Sequence, residues 1–490
     1  MRLDQLIAAL KAAEPGLELL RPDDREIAGI ALDSRKIAPG DLFAALPGSR
    51  ADGRAYIPQA LAAGAGALLL PLDTPRADLP PRVPLLLSAD PRRALAILAA
   101  RFHAPQPQTI AAVTGTNGKT SVAEFTRQIW AAAGLPAASL GTLGLIGPAG
   151  RTPGSLTTPD TVTLHRLLAD LARAGIAHAV LEASSHGLDQ RRLDGLSLSA
   201  AAFTNLSRDH LDYHRTEAAY FRAKARLFDT LLPEGAAAVF NADVPEFAPL
   251  AAIARARGLA LVDFGENAHV LRLVRTLPDA AGQTLTLALE GEETDLHLPL
   301  AGRFQAMNAL AALGLALGSG VSREDALAAL PRLSGVPGRM ELCARRADGA
   351  AVYVDFAHTP DALDTVIRAL RPHARGHLTV VFGCGGDRDR GKRPQMGAIV
   401  EALADRAIVT DDNPRTEAAA AIRAEILAGC PGAEEIGDRA AAIRTAMAAA
   451  APGDVILVAG KGHETGQIVG TEVLPFSDRE TVERLSQEVW

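Results

Sequence analysis

Short apolar runs alternate with polar or glycine-rich turns along most of the chain, and helix-like segments follow many of these runs. In the first hundred residues the runs predict strands at 27–32, 41–45, 67–70 and 85–88. Residues 1–14 carry leucine and alanine at helical spacing, with Asp4 and Lys11 among them. The amino-terminal part is therefore predicted to be a small α/β unit that opens with a helix.

A second pattern, strand followed by helix, runs from residue 109 to about residue 333. Its strands are predicted at 109–113, 177–182, 200–204 and 236–241. Repeated strand-helix order predicts a mostly parallel sheet covered by helices, and ligands of such sheets gather at the carboxyl ends of the strands. Glu182 and Asn205 fall at or just after such ends.

The last part of the chain predicts a third α/β unit, with strands at 351–355, 378–382, 406–410 and 455–458. Two joints rich in proline or glycine, at 104–108 and 334–339, separate the three parts. We therefore predict an α/β fold of three domains, with a central parallel sheet that carries a phosphate loop. The predicted boundaries are 1–105, 106–335 and 336–490.

Composition narrows the function classes. The net charge of −7 over 490 residues disfavours a nucleic-acid-binding surface. Cys343, Cys384 and Cys430 are odd in number and far apart, so neither a disulfide framework nor a zinc site is predicted. The chain has no run of about 18 apolar residues and no signal-like start, so we predict no membrane span and a cytoplasmic location.

The strongest local motif follows the strand at 109–113. It consists of Gly115, Thr116, Asn117, Gly118, Lys119, Thr120 and Ser121. Glycines and a helix amino terminus form a phosphate cradle, the lysine can reach the outer phosphates, and the Thr120 hydroxyl can ligate magnesium. Val113 stands where the general pattern has glycine, so the motif is a variant, and an ordinary glycine turn is the alternative. We predict nucleoside triphosphate binding.

Three further stretches separate phosphate-loop families from one another. They are Leu-Glu-Ala-Ser-Ser-His-Gly at 181–187, Phe-Thr-Asn-Leu-Ser-Arg-Asp-His-Leu-Asp-Tyr-His at 203–214, and Tyr-Phe-Arg-Ala-Lys-Ala-Arg-Leu-Phe at 220–228. With the phosphate loop, they resemble the Mur ligase superfamily, ATP-dependent amide-bond-forming enzymes of bacterial cell-wall synthesis. The resemblance runs nearly end to end and is nearest to members that add 2,6-diaminopimelate.

The resemblance implies two magnesium ions, held by Thr120, Glu182, His210 and a carbamate that CO₂ forms on Lys224. Carboxylate and carbamate oxygens are hard ligands suited to magnesium. A carbamate requires a neutral amine, and partial burial of Lys224 among Tyr220 and its neighbours would lower the lysine pKa. On spacing alone, Lys224 could equally be an exposed helix lysine. Lys119, Lys224, His210 and Glu182 are the implied catalytic residues.

The resemblance also implies contacts to two nucleotides. For ATP, the implied contacts are the phosphate loop, Asn308 and Arg339, with Asp355 and His358 across the second joint. Asn308 could equally cap or bridge a helix. The implied UDP-substrate contacts are Leu32, Ser34, Ser49, Arg50, Ala51, Thr157, Thr158, Ser184, Gln190 and Arg192. Leu156 stands where related enzymes can carry asparagine, so it is left out of this set.

The resemblance implies a third group of residues, which bind the incoming amino acid: Arg388, Asp412, Asn413, Pro414, Arg415, Gly460 and Glu464. A guanidinium can hold a carboxylate through two parallel hydrogen bonds, which favours meso-diaminopimelate over lysine. Glu464 would take the distal ammonium. A proline turn with a surface arginine is the alternative interpretation of the 412–415 motif.

The implied reaction uses ATP to phosphorylate the side-chain carboxylate of D-glutamate in UDP-MurNAc-L-Ala-D-Glu. The amine of diaminopimelate then attacks the acyl phosphate. The partners are therefore small molecules, and we expect a monomer. Folylpolyglutamate synthase, which has a similar loop but lacks the uridine-type first domain, is one alternative. A nucleotide-dependent switch or motor, which performs no ligation, is another.

Overall fold

The computed structural model describes residues 1–48, 51–154, 156–207, 209–279 and 282–490. The chain forms two compact units. The first comprises Met1–Phe264 with Ala311–Ala326, and the second comprises Gly265–Leu310 with Leu327–Trp490. Within the described ranges, no helix is both long enough and apolar enough to cross a membrane.

The first unit begins with a five-stranded sheet in the order β1-β5-β4-β3-β2, parallel except for β1. Its strands are β1 (Glu18–Leu20), β2 (Ile30–Ala31), β3 (Leu42–Ala44), β4 (Ala67–Pro71) and β5 (Leu85–Ser88). Its helices are α1 (Leu3–Ala13), α2 (Ile57–Ala62) and α3 (Pro91–Phe102). Both faces of the sheet are covered, since all of β4 and β5 is buried. This explains why these strands are continuous apolar runs.

The larger sheet of the first unit has the order β13-β12-β11-β6-β10-β7-β8-β9. Its strands are β6 (Thr109–Thr114), β7 (Ala137–Gly141), β8 (Gly144–Gly147), β9 (Gly150–Thr152), β10 (His178–Glu182), β11 (Leu198–Phe203), β12 (Ala237–Asn241) and β13 (Ala260–Gly265). All pairs from β13 to β7 are parallel, and β8 and β9 extend the sheet antiparallel. The predicted parallel sheet is thus confirmed.

Six helices accompany this sheet: α4 (Lys119–Ala132), α5 (Thr161–Arg173), α6 (Ser185–Asp189), α7 (Leu211–His214), α8 (Glu217–Arg226) and α9 (Phe247–Ala256). Side chains of Asp160, Ser184 and Thr216 cap α5, α6 and α8 by accepting backbone N–H groups of the first turn. Leucine, alanine and phenylalanine side chains of β6, β7, β10, β11 and β12 pack with those of α5, α6, α8 and α9 in one buried core.

The second unit opens with three antiparallel strands, β14 (Leu271–Asp279), β15 (Gly282–Leu289) and β16 (Glu292–Leu298). The strand-helix repeat predicted up to residue 333 is therefore wrong in this segment. Four residues at the start of β16 are exposed, so the segment has no continuous apolar run that would mark a buried parallel strand. Helices α10 (Arg303–Gly318) and α11 (Arg323–Ala329) come next in the chain, and the part of this segment from Ala311 to Ala326 belongs to the first unit.

The remainder of the second unit is built on a six-stranded sheet in the order β17-β18-β22-β19-β20-β21. Its strands are β17 (Glu341–Arg345), β18 (Ala351–Asp355), β19 (Leu378–Phe382), β20 (Arg406–Val409), β21 (Glu434–Glu435) and β22 (Val455–Ala459). A hairpin of β23 (Gly466–Val469) and β24 (Glu472–Pro475) follows. The helices are α12 (Pro360–Leu370), α13 (Lys392–Leu403), α14 (Ala419–Leu427), α15 (Arg439–Ala448) and α16 (Asp478–Val489).

Candidate active site

The phosphate loop joins β6 to α4, as the sequence predicts, and the helix begins at Lys119. Gly115 has φ +145°, and a Cβ added there would lie 1.9 Å from Thr204 Oγ1. Gly118 has φ 87° and forms the N-cap of α4 without a side-chain cap. Both positions therefore require glycine. A helix amino terminus that begins in this way, on a glycine N-cap, can bind an anion through the N–H groups of its first turn.

Residues after β11 brace the loop. Asn117 N donates to Asn205 Oδ1 at 2.9 Å, and Thr116 N donates to Asn205 O at 2.9 Å. Thr204 Oγ1 donates to Asn117 O at 2.6 Å. The predicted place of Asn205 at a strand end is confirmed. The bracing by Thr204 was not predicted, because a threonine at the end of a strand carries no distinctive sequence signal.

Two lysine side chains share one carbonyl oxygen in this loop. Lys119 Nζ donates to Gly115 O at 2.9 Å and to Thr116 O at 2.8 Å. Lys224 Nζ, from α8, donates to the same Gly115 O at 2.7 Å. The structure therefore brings two of the predicted catalytic residues together at the start of the phosphate loop.

Lys224 is buried, with 1% of its surface exposed, and its Nζ lies 4.5 Å from the centre of the Tyr220 ring. Burial, followed by the nearby charge of Lys119, lowers the pKa of Lys224 well below its ordinary value. Burial also raises the pKa of Tyr220 to about 12, so its phenol stays neutral. The alternative of an exposed helix lysine is thereby excluded, and the site favours a neutral, nucleophilic amine.

Glu182 ends β10, which is hydrogen-bonded in parallel to β6, with Glu182 opposite Val113. Glu182 is 2% exposed, and its carboxylate accepts Thr142 N at 2.7 Å through Oε1. A Cβ added at Gly141 would lie 2.0 Å from the same oxygen. The register and the missing side chain at Gly141 therefore fix where this carboxylate stands.

His210 precedes α7 in a left-handed conformation, with φ 53°. Its ring lies 4.8 Å from the His186 ring, and its Nε2 lies 3.5 Å from Asp209 Oδ2. The described ranges contain no group of three or more His, Cys, Asp or Glu residues that could hold a metal ion. The fixed Glu182 carboxylate and the Thr120 hydroxyl are oxygen donors that suit magnesium, which usually binds one or two carboxylates and completes its shell with water and phosphate oxygens.

Central residues predicted to bind the UDP-substrate lie beside Glu182. Thr158 Oγ1 donates to Glu182 O at 2.7 Å, and Ser184 N donates to Thr158 Oγ1 at 3.0 Å. Arg192 donates to Thr158 O at 2.6 Å and to Gln190 Oε1 at 2.7 Å. Burial lowers the pKa of the Arg192 guanidinium. Thr157 joins the group through Thr142, with their hydroxyl oxygens 3.0 Å apart.

The small sheet of the first unit carries a cavity of about 630 Å³. Leu32, Ser34 and Ala51 line it, together with Phe43, Tyr56 and Arg92. Ser34 Oγ donates to Gln59 Oε1 at 3.0 Å. The structure thus brings three predicted UDP-substrate contacts around one cavity. The other two of this domain, Ser49 and Arg50, lie outside the described residues.

The second unit contains the other predicted ATP contacts. Asn308 Nδ2 donates to Gln305 Oε1 at 3.0 Å, which is the helix-bridging contact left open by the sequence. The Arg339 guanidinium lies 4.8 Å from the Phe356 ring, and its buried Nε has no hydrogen-bond partner in the described residues. Asp355 accepts Met340 N and Ala357 N, yet burial raises its pKa. His358 follows at the surface.

Residues predicted to bind the incoming amino acid lie on loops that follow β19, β20 and β22. Arg415, with φ 52°, donates its N–H to Ile468 O at 3.0 Å, and its Nη1 donates to Gly386 O at 2.8 Å. Asn413 Nδ2 donates to Glu464 Oε2 at 2.9 Å. A Cβ at Gly460 would lie 2.5 Å from Asp412 Oδ2. Pro414 continues the second loop, and Arg388 is exposed on the first.

Buried cations anchor these loops, and the sequence did not predict them. Arg439 is paired with Asp478 at 2.7 Å and donates to Ala459 O at 2.9 Å. Arg393 donates to Glu417 at 2.8 Å and to Gly385 O at 3.3 Å. Lys461 is fully buried. Basic residues are usually exposed, so nothing in the local sequence marks these three as interior.

Comparison with known proteins places this geometry in a family. Three family descriptions match the chain: "Mur ligase family, catalytic domain" at residues 26–103, "Mur ligase middle domain" at 113–316, and "Mur ligase, glutamate ligase domain" at 338–462. The predicted three-domain architecture is confirmed. The boundaries predicted at 105 and 335 stay a prediction.

Relatives and a solved structure agree with these matches. UDP-N-acetylmuramoyl-L-alanyl-D-glutamate–2,6-diaminopimelate ligase of Mesorhizobium japonicum is 54% identical over 95% of this chain and 96% of that protein. The enzyme of the same name from Bradyrhizobium diazoefficiens is 53% identical over 98% of each chain. A solved structure of a ligase of this name is 34% identical, with a TM-score of 0.74 over 98% of this chain and 99% of that one. The chain belongs to the Mur ligase family.

Proposed function

We propose that this chain is an ATP-dependent ligase that adds meso-2,6-diaminopimelate to the D-glutamyl side-chain carboxylate of UDP-MurNAc-L-Ala-D-Glu during peptidoglycan precursor synthesis. The observation that carries the proposal is identity of 53–54% over almost the whole chain to ligases named for this reaction. The arginine of the 412–415 motif supports the choice of amino acid, as the sequence predicts.

In the first step, the D-glutamyl carboxylate attacks the γ-phosphorus of ATP, and ADP leaves. The proposed phosphate contacts are the backbone N–H groups at the start of α4 and the Lys119 ammonium, which stabilise the charge that grows on the transferring group. Gly115 and Gly118 allow the close approach of the backbone, while Thr204 and Asn205 keep the loop in place before ATP arrives.

In the second step, the amine of diaminopimelate attacks the acyl phosphate carbonyl. The tetrahedral intermediate expels phosphate, and the amide bond remains. A carboxylate resists amines until one oxygen becomes a good leaving group, which is why the ATP step must come first. Lys119 is again near the departing phosphate and stabilises its charge.

We propose Thr120, Glu182 and His210 as magnesium ligands, with carbamylated Lys224 as a further anionic ligand for one of two ions. Magnesium, when bound, supplies positive charge that offsets the negative charge of the phosphate groups. The neutral Lys224 amine would form an N–C bond with CO₂ and release one proton to solvent, which leaves an anionic carbamate. The burial of Lys224 supports this proposal because it favours the neutral amine.

The remaining substrate contacts are proposed for the predicted residues that the structure describes. The cavity lined by Leu32, Ser34 and Ala51 suits the uridine nucleotide, and the group around Thr158 suits the peptide end because it adjoins Glu182. Asn308, Arg339, Asp355 and His358 are proposed contacts of ATP. We also propose the domain boundaries at 105 and 335, a monomeric state and a cytoplasmic location.

One assay tests the proposal against its alternatives. Phosphate release from ATP is measured with the UDP-dipeptide and diaminopimelate together, with each alone, and with neither. The ligase requires both substrates and yields a UDP-tripeptide of the expected mass. A switch or motor hydrolyses ATP without them, and a folylpolyglutamate synthase requires a folate and glutamate instead. Phosphate release at the same rate with and without the UDP-dipeptide would exclude the proposed reaction.

A further inference from the structure

Lys461 lies in the loop that follows β22, between two predicted contacts of the incoming amino acid, Gly460 and Glu464. Its side chain is 0% exposed. Lysine is almost never fully buried unless its ammonium is paired, so the surroundings must satisfy all of its donors.

The ammonium group donates to three acceptors. They are Asn413 Oδ1 at 3.1 Å, Glu464 Oε2 at 3.0 Å and Gly466 O at 2.6 Å. An ammonium has three N–H donors, so the side chain is fully satisfied. Two of its three partners are side chains predicted to bind the amino acid, and the third is the first residue of the β23–β24 hairpin.

Asn413 and Glu464 also bond to each other, which closes a triangle with Lys461. Asn413 Nδ2 donates to Glu464 Oε2 at 2.9 Å, while Asn413 Oδ1 accepts Ile468 N at 2.9 Å. The amide can satisfy these partners in one orientation only. Glu464 Oε2 thus receives two donors. Across the described ranges, no protein donor reaches Glu464 Oε1.

We propose that Lys461 is a positioning residue that selects the conformation in which Asn413 and Glu464 receive the distal end of the amino acid. Lys461 holds Glu464 by one oxygen, which leaves the other to accept the distal ammonium. A side chain ordered before binding loses less conformational entropy when the ligand arrives. This inference rests on the proposed function, because it assigns Glu464 the distal ammonium of diaminopimelate.

The first test replaces Lys461 by methionine, which keeps the length of the side chain and removes its three donors. The KM for diaminopimelate rises at least about tenfold, while the KM values for ATP and the UDP-dipeptide stay within about twofold and kcat at saturation within about threefold. Ile443→Ala, which truncates a buried side chain in a hydrophobic core cluster of the second unit, is the control for lost stability. If Ile443→Ala raised the KM for diaminopimelate as much as Lys461→Met does, the positioning role of Lys461 would be overturned.

The second test asks whether Lys461 acts through Glu464. Glu464→Gln is compared with the double variant Lys461→Met/Glu464→Gln, which removes both charges and so leaves no unpaired buried ion. The rise in KM for diaminopimelate in the double variant is smaller than the product of the two single rises. If Lys461→Met does not fold, the double variant is compared with Glu464→Gln alone. A KM for diaminopimelate within about threefold of that of Glu464→Gln supports the proposal, and a larger KM contradicts it.

The same experiments separate this inference from the proposed function. Wild-type protein that fails to consume diaminopimelate overturns the proposed function and the inference together. Wild-type protein that consumes it, combined with independent effects of Lys461 and Glu464 on KM, overturns the inference alone.

Discussion

At the scale of single residues, the buried amine of Lys224 has a thermodynamic cost that can be measured. Its pKa is lowered from an ordinary value near 10.5, so the folded protein binds fewer protons at this group than the unfolded chain does. The free energy of unfolding contributed by Lys224 therefore falls as pH decreases below 10.5, and it stops falling once pH is below the folded pKa.

Lys224→Met removes this cost. In CO₂-free buffer without nucleotide, the variant gains free energy of unfolding relative to the wild type as pH is lowered from 9 to 7, by up to about 1.4 kcal/mol per pH unit. Urea unfolding at the two pH values measures the difference. Lys11→Met, at an exposed lysine of α1, is the control and shows no such trend. If the free energy of unfolding changed with pH in the same way in wild type and Lys224→Met, the lowered pKa of Lys224 would be contradicted.

Arg415 is the residue that we expect to distinguish diaminopimelate from lysine. Its guanidinium has five N–H groups, of which Nη1 donates to Gly386 O, and a second carboxylate exists only on diaminopimelate. Wild type prefers diaminopimelate in kcat/KM by about 10³-fold or more, and Arg415→Ala lowers this preference. Because the backbone is left-handed here, Arg415→Asn provides a second variant that tolerates φ 52°.

The control for Arg415 is Arg406→Ala, which removes an arginine on β20 that is paired with Glu434 at 2.7 Å. It leaves the preference between the two amino acids unchanged. A wild type that uses lysine as well as diaminopimelate, or an unaltered preference in both Arg415 variants, would show that the distal carboxylate is recognised elsewhere.

At the scale of elements, the register of β7, β6 and β10 determines where Glu182, a proposed magnesium ligand, stands. Gly141 ends β7, and its missing side chain leaves space for the Glu182 carboxylate. Gly141→Ala would force that carboxylate to move, since the new Cβ would be 2.0 Å from Oε1. Displacement of a catalytic group by about 1 Å can cost about 100-fold in rate, and we expect a fall of that order in kcat/KM.

Gly147→Ala is the matched control for Gly141→Ala. It makes the same change on β8 of the same sheet, where the nearest atom to the new Cβ is 3.6 Å away. Activity and magnesium dependence are measured for both variants, with thermal unfolding to confirm that each is folded. Equal activity in the two variants would show that Glu182 is not held in place by Gly141.

Much of the element pattern could be predicted from sequence. Strands β5, β18 and β19 lie where the apolar runs predict them, residue for residue, because fully buried parallel strands have no polar face to interrupt the run. Strands β14 to β16 were missed because antiparallel strands with an exposed face mix polar and apolar residues. The register shift between Leu273 and Arg275 disturbs their alternation further.

The candidate site shows the same division between local and long-range information. The phosphate loop could be predicted because its glycines and its lysine are contiguous. The burial of Lys461 could not be predicted, because one of its partners, Asn413, lies 48 positions away and is brought close only by the pairing of β18, β19, β20 and β22.

At the scale of the whole molecule, the net charge of −7 means that the proposed binding of anionic substrates depends on local groups, namely the loop amides, Lys119, Arg192 and Arg415. The proposed contacts of the UDP-dipeptide lie in the first unit, and those of diaminopimelate lie in the second. Each ligand should therefore stabilise its own unit first.

Hydrogen exchange can measure this division. The UDP-dipeptide at 100 times its Kd adds about 2.7 kcal/mol to the opening free energy of the most protected amides in the first unit. Diaminopimelate protects the segments around β20 and β23 in the second unit. UDP is the control for the nucleotide half of the substrate and protects the small sheet alone. Protection of the second unit by the UDP-dipeptide, with none in the first, would contradict the assignment.

The carbonyl oxygen of Gly115, which accepts both Lys119 and Lys224, keeps the two amines close enough for the charge of one to affect the other. A phosphate that draws Lys119 towards itself neutralises a positive charge beside Lys224, and the proton affinity of Lys224 then increases. By linkage, nucleotide binding and the supply of neutral Lys224 amine oppose each other. We therefore expect the proposed carbamate on Lys224 to form less readily from CO₂ in nucleotide-bound protein than in nucleotide-free protein.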